Sequence, residues 1–159
     1  MHFKRLRNLM LLILPLLLVL ASCSKDNVDP EKQAQTDEAT IVKFLAEKNI
    51  TAQRHTSGVY YQITNPGTGN ITYSSNTTVS AKYTGRLLSG AEFDKSEQPI
   101  AFPLGGVIAG WQIGVPLIQK GGKIRLFIPS GLGYGAGGQG PIPPNAGLDF
   151  DIELVNVTN

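Results

Sequence analysis

The segment Gly133–Glu153, GYGAGGQGPIPPNAGLDFDIE, decides the fold predicted for this chain. It follows the apolar run IRLFIP at 124–129, which predicts a β-strand, and residues 133–138 have the G-x-G-x-x-G spacing of a dinucleotide-binding loop. Such a loop must lead directly into a helix whose N-terminal amides face the pyrophosphate. Here the glycines run into GPIPP at 140–144, which cannot open that helix. We therefore interpret the segment as a shaped loop that presents the phenol of Tyr134.

The first 22 residues predict a bacterial lipoprotein signal peptide. Three cations lie in the first eight residues, and a nearly all-aliphatic run at 9–20 follows that is too short to span a bilayer comfortably. Ala21 and Ser22 then precede Cys23, the only cysteine, in a pattern that resembles a lipobox. The resemblance implies cleavage before Cys23 and attachment of lipid to it, which anchors the chain in a membrane. The alternative is an ordinary secretory signal, or an uncleaved anchor, in which Cys23 is incidental.

The charge balance gives no support for nucleic-acid binding. The formal net charge is +2, but without the three cations of the signal segment the chain carries −1 before its termini are counted. The apparent basicity therefore belongs to the targeting segment. His55 is the only histidine beyond that segment, and no Ser-His-Asp set or metal-ligand spacing accompanies it. The sequence thus predicts no nucleic-acid partner, no metal and no cofactor.

Composition divides the remaining chain into three parts. Residues 23–35 are polar and predict a flexible tether. Residues 36–56 predict an N-terminal helix and its connection, with the helix at 36–49 and Thr36 as its cap. Residues 57–159 are rich in strand and turn signals and predict one domain.

The predicted helix has a short apolar stripe formed by Ile41, Phe44 and Leu45. Asn49 follows the helix and suits the left-handed position that ends many helices. We expect the stripe to dock on the domain, and pairing with a second copy of the chain is the alternative.

The domain has the pattern of an α+β fold with a largely antiparallel sheet. Apolar runs alternate with turn signals such as Asn65-Pro66-Gly67, and one short helix carrying Trp111 interrupts them. Many strands with a single short helix do not fit the βαβ units of a parallel sheet. The predicted strands lie at 59–64, 77–88, 91–94, 100–104 (with Pro103, at a sheet edge), 123–129 and 148–157, and the helix at 108–118.

Short motifs follow one another through the domain in a specific order. They are YTG at 83–85, Gly90 with Phe93-Asp94, LG at 104–105, VI at 107–108, GW at 110–111, GV at 114–115, Gly121, YG at 134–135, IPPNA at 142–146 and LDFDIEL at 148–154. In this order they resemble the FKBP-type peptidyl-prolyl isomerases, and the resemblance covers about residues 58–157. It implies a curved antiparallel β-sheet wrapped around a short α-helix, in agreement with the pattern above.

In that family an apolar cup holds the proline ring of the substrate, and the resemblance assigns its residues here. Trp111 forms the floor, Tyr134 offers its hydroxyl to a substrate carbonyl, and the amide of Ile108 is a second donor. Asp94 lies at the rim, where it orients groups by hydrogen bonding and does not act as a base. Ile142 lies on the loop over the site. The walls are Tyr83, Phe93, Val107, Ile108 and Phe150.

Each of these residues also has a plainer interpretation. Aromatic residues on strands with alternating apolar and polar positions, such as Tyr83 and Phe150, usually belong to a core. Trp111 could belong to a core as well. Asp94 alone would be a solvated turn residue, and Tyr134 alone an exposed loop aromatic. The ordered match favours the cup.

The resemblance implies a prolyl isomerase that eases rotation about the X-Pro bond with no covalent step. Its expected partners are proline-containing polypeptides in unfolded or exported proteins, and macrolide inhibitors are further expected ligands. Together with the lipobox, it implies a place in the bacterial cell envelope, at the outer membrane, on its periplasmic face or at the cell surface, with lipid on Cys23 as the membrane anchor. Two alternatives are a proline-binding chaperone module without turnover and a structural lipoprotein whose own side chains fill the cup.

Three departures from the family pattern fall near the rim. Ile100 stands where many members have an aromatic residue, with Phe102 expected to pack inside. Gly105-Gly106 shortens the segment before Val107, and Gln139 lies near a position where a histidine is common. We expect these changes to affect substrate preference and macrolide affinity more than catalysis.

Overall fold

The computed structural model of the chain describes residues 29–159. The predicted signal peptide at 1–22, the lipobox residue Cys23 and the first part of the predicted tether lie outside these residues. Six strands form one antiparallel sheet in the order β1-β2-β5-β6-β3-β4, which confirms the predicted fold class. The helices and strands are α1 (Pro30–Glu47), β1 (Gln53–Arg54), β2 (Tyr60–Asn65), β3 (Thr78–Leu87), β4 (Glu92–Pro103), α2 (Ala109–Gly114), β5 (Lys123–Ile128) and β6 (Leu148–Thr158).

β4 joins two strands that the sequence predicts separately. It pairs with β3 along its whole length, and the register shifts between the pairs Ala81–Ile100 and Tyr83–Ser96. The extra residues are accommodated in this bulge, where the hydroxyl of Ser96 donates to the carbonyl of Gln98 at 2.6 Å. A bulge interrupts the alternation of side chains, so the sequence pattern around it predicts two separate strands. β4 is an edge strand, as Pro103 predicts.

Helix α1 begins at Pro30, six residues before the predicted start at Thr36. The side chain of Asp29 accepts a hydrogen bond from the amide of Glu31 at 3.0 Å, and Pro30 occupies the first turn, where its missing N–H costs nothing. Residues 30–35, predicted as flexible tether, are therefore helical. After the helix Asn49 has φ of 53°, the left-handed conformation that the sequence predicts.

Helix α1 packs on one face of the sheet, and α2 packs on the other. Ile41, Phe44 and Leu45 are buried against Tyr60 of β2 and Phe127 of β5, which confirms docking of α1 on the domain. Leu126, the neighbour of Phe127, points into the main core with Trp111 and Val115 of the α2 segment. Successive residues of a strand face opposite sides, so β5 separates two apolar clusters.

Helix α2 is short and continues into a 3₁₀ turn at Val115–Leu117, close to the predicted span 108–118. Gly110 and Gly114 lie directly against β5. A Cβ built on Gly110 would lie 2.5 Å from Cγ2 of Ile128, and one on Gly114 would lie 2.5 Å from Cδ2 of Leu126. The helix can therefore approach the sheet only because these residues lack side chains. None of the helices in 29–159 has the length and apolarity to cross a membrane.

Candidate active site

Trp111 lies on α2, and only 4% of the residue's surface is exposed. Aromatic rings from three strands surround its indole. The ring centroids of Tyr83 on β3 and Phe150 on β6 are each 5.4 Å from it, and that of Phe102 on β4 is 5.8 Å away. All three contacts are edge-to-face, the arrangement that the aromatic quadrupole favours. The sheet therefore wraps aromatic rings around the residue that the sequence predicts as the floor.

These rings line a cavity of about 480 Å³, which we call the cup. Seven of the nine predicted site residues contribute to it, from β3, β4, β6, the start of α2 and the glycine-rich loop. Its volume is suited to a small apolar ring with the adjoining peptide groups. The lining residues are Tyr83, Asp94, Phe102, Gly106, Val107, Ile108, Trp111, Tyr134, Gln139 and Phe150.

Two predicted residues lie beside the cup and do not line it. Phe93 packs edge-on against Phe150 with a centroid distance of 5.5 Å, so it supports the wall from outside. Ile142 is 6% exposed and belongs to the main core. Both line a smaller adjoining hollow of about 220 Å³, which shares Asp94 and Tyr134 with the cup.

Three lining residues were not among the predicted site residues. Phe102 could have been found from its alternation with the exposed Ala101 and Pro103 on β4, and it packs against the main core as expected. Gly106 precedes Val107 and contributes no side chain, so only the path of the backbone brings it to the cup. Gln139, which the family resemblance placed near the rim, reaches the cup because the glycine-rich loop folds back over the site.

The phenol of Tyr83 donates a hydrogen bond to Oδ2 of Asp94 at 2.7 Å. Burial, and then the hydrogen bond and charge of Asp94, raises the pKa of Tyr83 to about 12. The Tyr83 proton is therefore held on the phenol and shared with the carboxylate. Asp94 is engaged with a side chain of the wall, which fits an orienting role better than that of a base.

The hydroxyl of Tyr134 is a donor positioned by the loop that follows β5. Burial, and then the negative charge of Asp94, raises the pKa of Tyr134, so the phenol remains protonated at neutral pH. Gly135 and Gly138 have φ of 60° and 63°, which side chains rarely adopt. The loop is closed by reciprocal hydrogen bonds of 2.9 Å between Gln139 and Ile142. The glycines thus shape a defined loop, as the sequence predicts.

Two N–H groups at the cup have no partner among residues 29–159. The backbone amide of Ile108, at the start of α2, donates no hydrogen bond within this part of the chain. The indole N–H of Trp111 is buried and also unpaired there. The Ile108 amide can therefore donate to a polar ligand atom at the cup. The indole N–H is buried, and its missing acceptor costs the fold about 1–3 kcal/mol.

The arrangement can hold an apolar ring and donate hydrogen bonds to a carbonyl beside it. The residues that line the cup include no serine, cysteine or histidine that could act as a nucleophile. In the described part of the chain, no three His, Cys, Asp or Glu side chains are grouped to hold a metal ion. The side chains that line the cup can bind an apolar group, orient a carbonyl beside it and exclude water.

Comparison with known proteins identifies the family of this chain. The family profile of the FKBP-type peptidyl-prolyl cis-trans isomerases matches residues 69–155. The FKBP-type isomerase FkpA of Escherichia coli K12 is 41% identical over 140 residues, which are 86% of this chain and 50% of that protein. A probable FKBP-type isomerase of Haemophilus influenzae is 39% identical over 144 residues, which are 88% of this chain and 58% of that protein. The chain spans about half the length of the curated relatives it matches.

Two solved structures share the fold with a TM-score of 0.69 each. The crystal structure of FkpA from Escherichia coli is 39% identical and covers 80% of this chain and 62% of its own. That of a peptidyl-prolyl cis-trans isomerase from Pseudomonas syringae is 34% identical and covers 84% of this chain and 98% of its own. The profile match over more than half of the sequence, with the ordered residues of the cup, shows that this chain belongs to the FKBP-type peptidyl-prolyl cis-trans isomerase family.

Proposed function

We propose that this chain is a peptidyl-prolyl cis-trans isomerase that accelerates rotation about X-Pro bonds in the aromatic cup. The observation that carries the proposal is the cavity floored by Trp111, with the protonated phenol of Tyr134 in its lining. Its substrates are proline-containing segments of unfolded polypeptides. The membership of the family supports the same activity.

The cup lowers the barrier by binding the twisted amide better than the planar one. The X-Pro bond rotates over a barrier of about 18–20 kcal/mol, because twisting removes the amide resonance. The planar amide is the more dipolar form, so water stabilises it more than the twisted form. An apolar cavity removes that advantage and stabilises the transition state differentially.

Two donors supply the polar part of the mechanism. Trp111 lies under the pyrrolidine ring, and the Tyr134 hydroxyl and the Ile108 amide donate to carbonyl oxygens of the bound peptide. Asp94 accepts from Tyr83, which fixes the wall. A thousandfold acceleration needs about 4 kcal/mol, of which two hydrogen bonds of about 1 kcal/mol each supply half. Desolvation and shape supply the remainder.

A peptide assay tests the activity. The full chain, purified in mild detergent, is expected to accelerate cis-to-trans relaxation of an Xaa-Pro peptide above the rate in detergent buffer. Tyr134→Phe removes one donor and is expected to lower kcat/KM about three- to tenfold without a change in Tm.

The matched control is Tyr73→Phe. The hydroxyl of Tyr73 donates to the carbonyl of Ile118 at 2.7 Å and does not line the cup, so this variant loses about 1 kcal/mol of stability and keeps its activity. No acceleration by the wild-type chain would contradict the proposal. Peptide binding without acceleration would instead favour a proline-binding chaperone module.

We also propose that the chain works in the bacterial cell envelope on exported proteins, held at the outer membrane by lipid on Cys23. The support is the leader at 1–22 and the residues before Cys23. Metabolic labelling with a fatty acid, followed by membrane fractionation, tests it. The wild-type chain is expected to carry the label, and Cys23→Ala is expected to lose both the label and the membrane fraction. An unlabelled wild-type chain would contradict it.

Macrolide inhibitors of this family are proposed to bind in the same cup. The support is the aromatic lining, since an apolar ring on Trp111 would exclude the proline ring of the substrate. A macrolide is expected to inhibit the peptide assay competitively. Inhibition that leaves the apparent KM unchanged would contradict binding in the cup.

A further inference from the structure

A buried carboxylate connects α1 to the loop that carries Tyr134. Asp37 lies on α1 and is only 5% exposed. Its Oδ2 accepts hydrogen bonds from the backbone amide of Ser130 at 2.7 Å and from the Ser130 hydroxyl at 2.6 Å. Its Oδ1 accepts from Nε2 of Gln33 at 2.6 Å. Ser130, 93 residues away in sequence, is 1% exposed.

Docking of α1 does not by itself require this carboxylate. The contact of Ile41, Phe44 and Leu45 with the sheet is apolar and already holds the helix. Removing a carboxylate from water is costly, so a buried acid persists where it makes several hydrogen bonds. Two of its three bonds go to Ser130, which shows that the carboxylate fixes the start of a loop as well as a helix.

Ser130 is the first residue of a loop that is rich in glycine. The segment 130–147, which we call the glycine loop, contains seven glycines. Glycine loses more backbone entropy on ordering than any other residue, so the conformation depends on the points where the loop is held. One such point is the amide of Asn145, which donates to the carbonyl of Gly135 at 2.9 Å. Tyr134 lies between that point and Ser130.

The space behind the glycine loop is otherwise loosely filled. A groove of about 410 Å³ separates the first turns of α1 from the loop, lined by Pro30, Ala34, Leu132 and Ala136 among others. Close packing between the first turns of α1 and the loop is therefore incomplete on this side. The Asp37–Ser130 bonds are its polar connection to α1.

We propose that Asp37 is a positioning residue for catalysis, which acts through Ser130 to hold the glycine loop so that the Tyr134 hydroxyl is directed into the cup. This inference rests on the proposed isomerase activity. In this role α1 holds the glycine loop in place, in addition to linking the domain to the preceding chain.

The chain offers a matched control on the adjacent residue. Glu38 also joins α1 to the sheet, accepting hydrogen bonds from Nε and Nη2 of Arg54 at 2.8 and 3.1 Å and from the Tyr60 hydroxyl at 3.0 Å. Its hydrogen-bond partners within residues 29–159 do not include Ser130 or another residue of the glycine loop. Asp37→Ala and Glu38→Ala therefore both weaken docking of α1, but only the first releases the loop.

Two measurements on the full chain in mild detergent test the proposal. In the peptide assay, Asp37→Ala is expected to lower kcat/KM about fivefold, mainly through kcat, and Glu38→Ala to change it less than about twofold. Asp37→Asn keeps an acceptor for the Ser130 amide and is expected to recover most of the activity. In amide hydrogen exchange, peptides covering 131–146 are expected to exchange faster in Asp37→Ala than in Glu38→Ala.

The outcomes distinguish the isomerase activity from the positioning role of Asp37. An inactive wild-type chain would contradict the isomerase, and the exchange experiment would still test the connection to the loop. An active wild-type chain with equal effects of Asp37→Ala and Glu38→Ala, in rate and in exchange, would overturn the positioning role. If Asp37→Ala does not fold, Ser130→Ala removes only the hydroxyl bond, and unchanged exchange and rate in that variant would overturn it too.

Discussion

Tyr83 shows how one residue serves both the wall of the cup and its polar rim. Its ring packs on Trp111 while its hydroxyl donates to Asp94. This pairing keeps an acid beside an apolar cavity without placing the carboxylate inside it. The sequence could suggest each residue, because both belong to motifs, but the hydrogen bond depends on β3 and β4 lying side by side.

The raised pKa of Tyr83 predicts a stability difference in alkaline solution. The unfolded chain releases this proton near pH 10, whereas burial and Asp94 hold it in the folded chain up to about pH 12. Between these values the folded chain binds more protons, so the free energy of unfolding falls as pH rises. Urea denaturation is expected to show that the wild-type chain loses more stability between about pH 9 and pH 12 than Tyr83→Phe does.

The comparison with Tyr83→Phe isolates this residue. Burial also raises the pKa of Tyr60 and Tyr73, which contribute equally in both chains. Tyr134 adds to the difference, because its negative charge also raises the pKa of Tyr83. If the free energies of unfolding of the wild-type chain and Tyr83→Phe change in parallel between about pH 9 and pH 12, the fold does not hold the phenol of Tyr83 protonated.

At the scale of the element, α2 shows why glycine can be the better residue inside a helix. The helix places Trp111 correctly only if its backbone lies close to β5. Alanine is favoured over glycine by about 1 kcal/mol in an unconstrained helix. At Gly110, however, a Cβ would meet three atoms of Ile128 at 2.5–2.8 Å. The clash therefore opposes the helix propensity.

We predict that Gly110→Ala destabilises the chain by about 1–3 kcal/mol, the usual cost of overpacking a core. The displaced helix moves Trp111, so kcat/KM in the peptide assay is expected to fall as well. Thermal unfolding and the assay measure the two effects. The control is Gly131→Ala, because a Cβ there meets nothing within 4 Å. A Gly110→Ala variant as stable as the control would show that α2 has room to move away from β5.

The boundaries of elements were harder to predict than their types. The sequence predicts a helix around Ile41 and a strand around Phe102, and both exist. It places the start of α1 too late because Asp29 and Pro30 resemble a linker until their capping role is seen. It divides β4 because the bulge near Gln98 interrupts the alternation, while pairing with β3 continues on both sides.

At the scale of the whole molecule, α1 and the sheet are expected to unfold as one unit. Ile41 is fully buried against the face of the sheet opposite Trp111. Since β5 contributes to both apolar clusters, loss of one exposes the strand that supports the other. We predict that Ile41→Ala lowers the free energy of unfolding by about 2–5 kcal/mol.

Two probes follow this unfolding from opposite sides of the sheet. Far-UV circular dichroism reports on α1, and the fluorescence of Trp111, the only tryptophan, reports on the cup. In Ile41→Ala, the unfolding transitions measured by circular dichroism and by fluorescence are expected to shift together to lower denaturant concentration. Val42→Ala, at a neighbouring position that is 47% exposed, is the control and is expected to change stability by less than about 0.5 kcal/mol. Loss of helix before the tryptophan signal would show that α1 is an independent unit.

The family, the fold class and most residues of the cup could be predicted from the amino acids alone. These depend on local signals, namely the glycines and prolines of 133–144, the alternation in β6, and motifs in a fixed order. The three-dimensional structure was needed to show that Phe93 and Ile142 lie beside the cup and that Asp37 bonds to Ser130. The physical reason is that side-chain direction and contacts between distant residues are set by strand register and helix docking, which involve partners far apart in sequence.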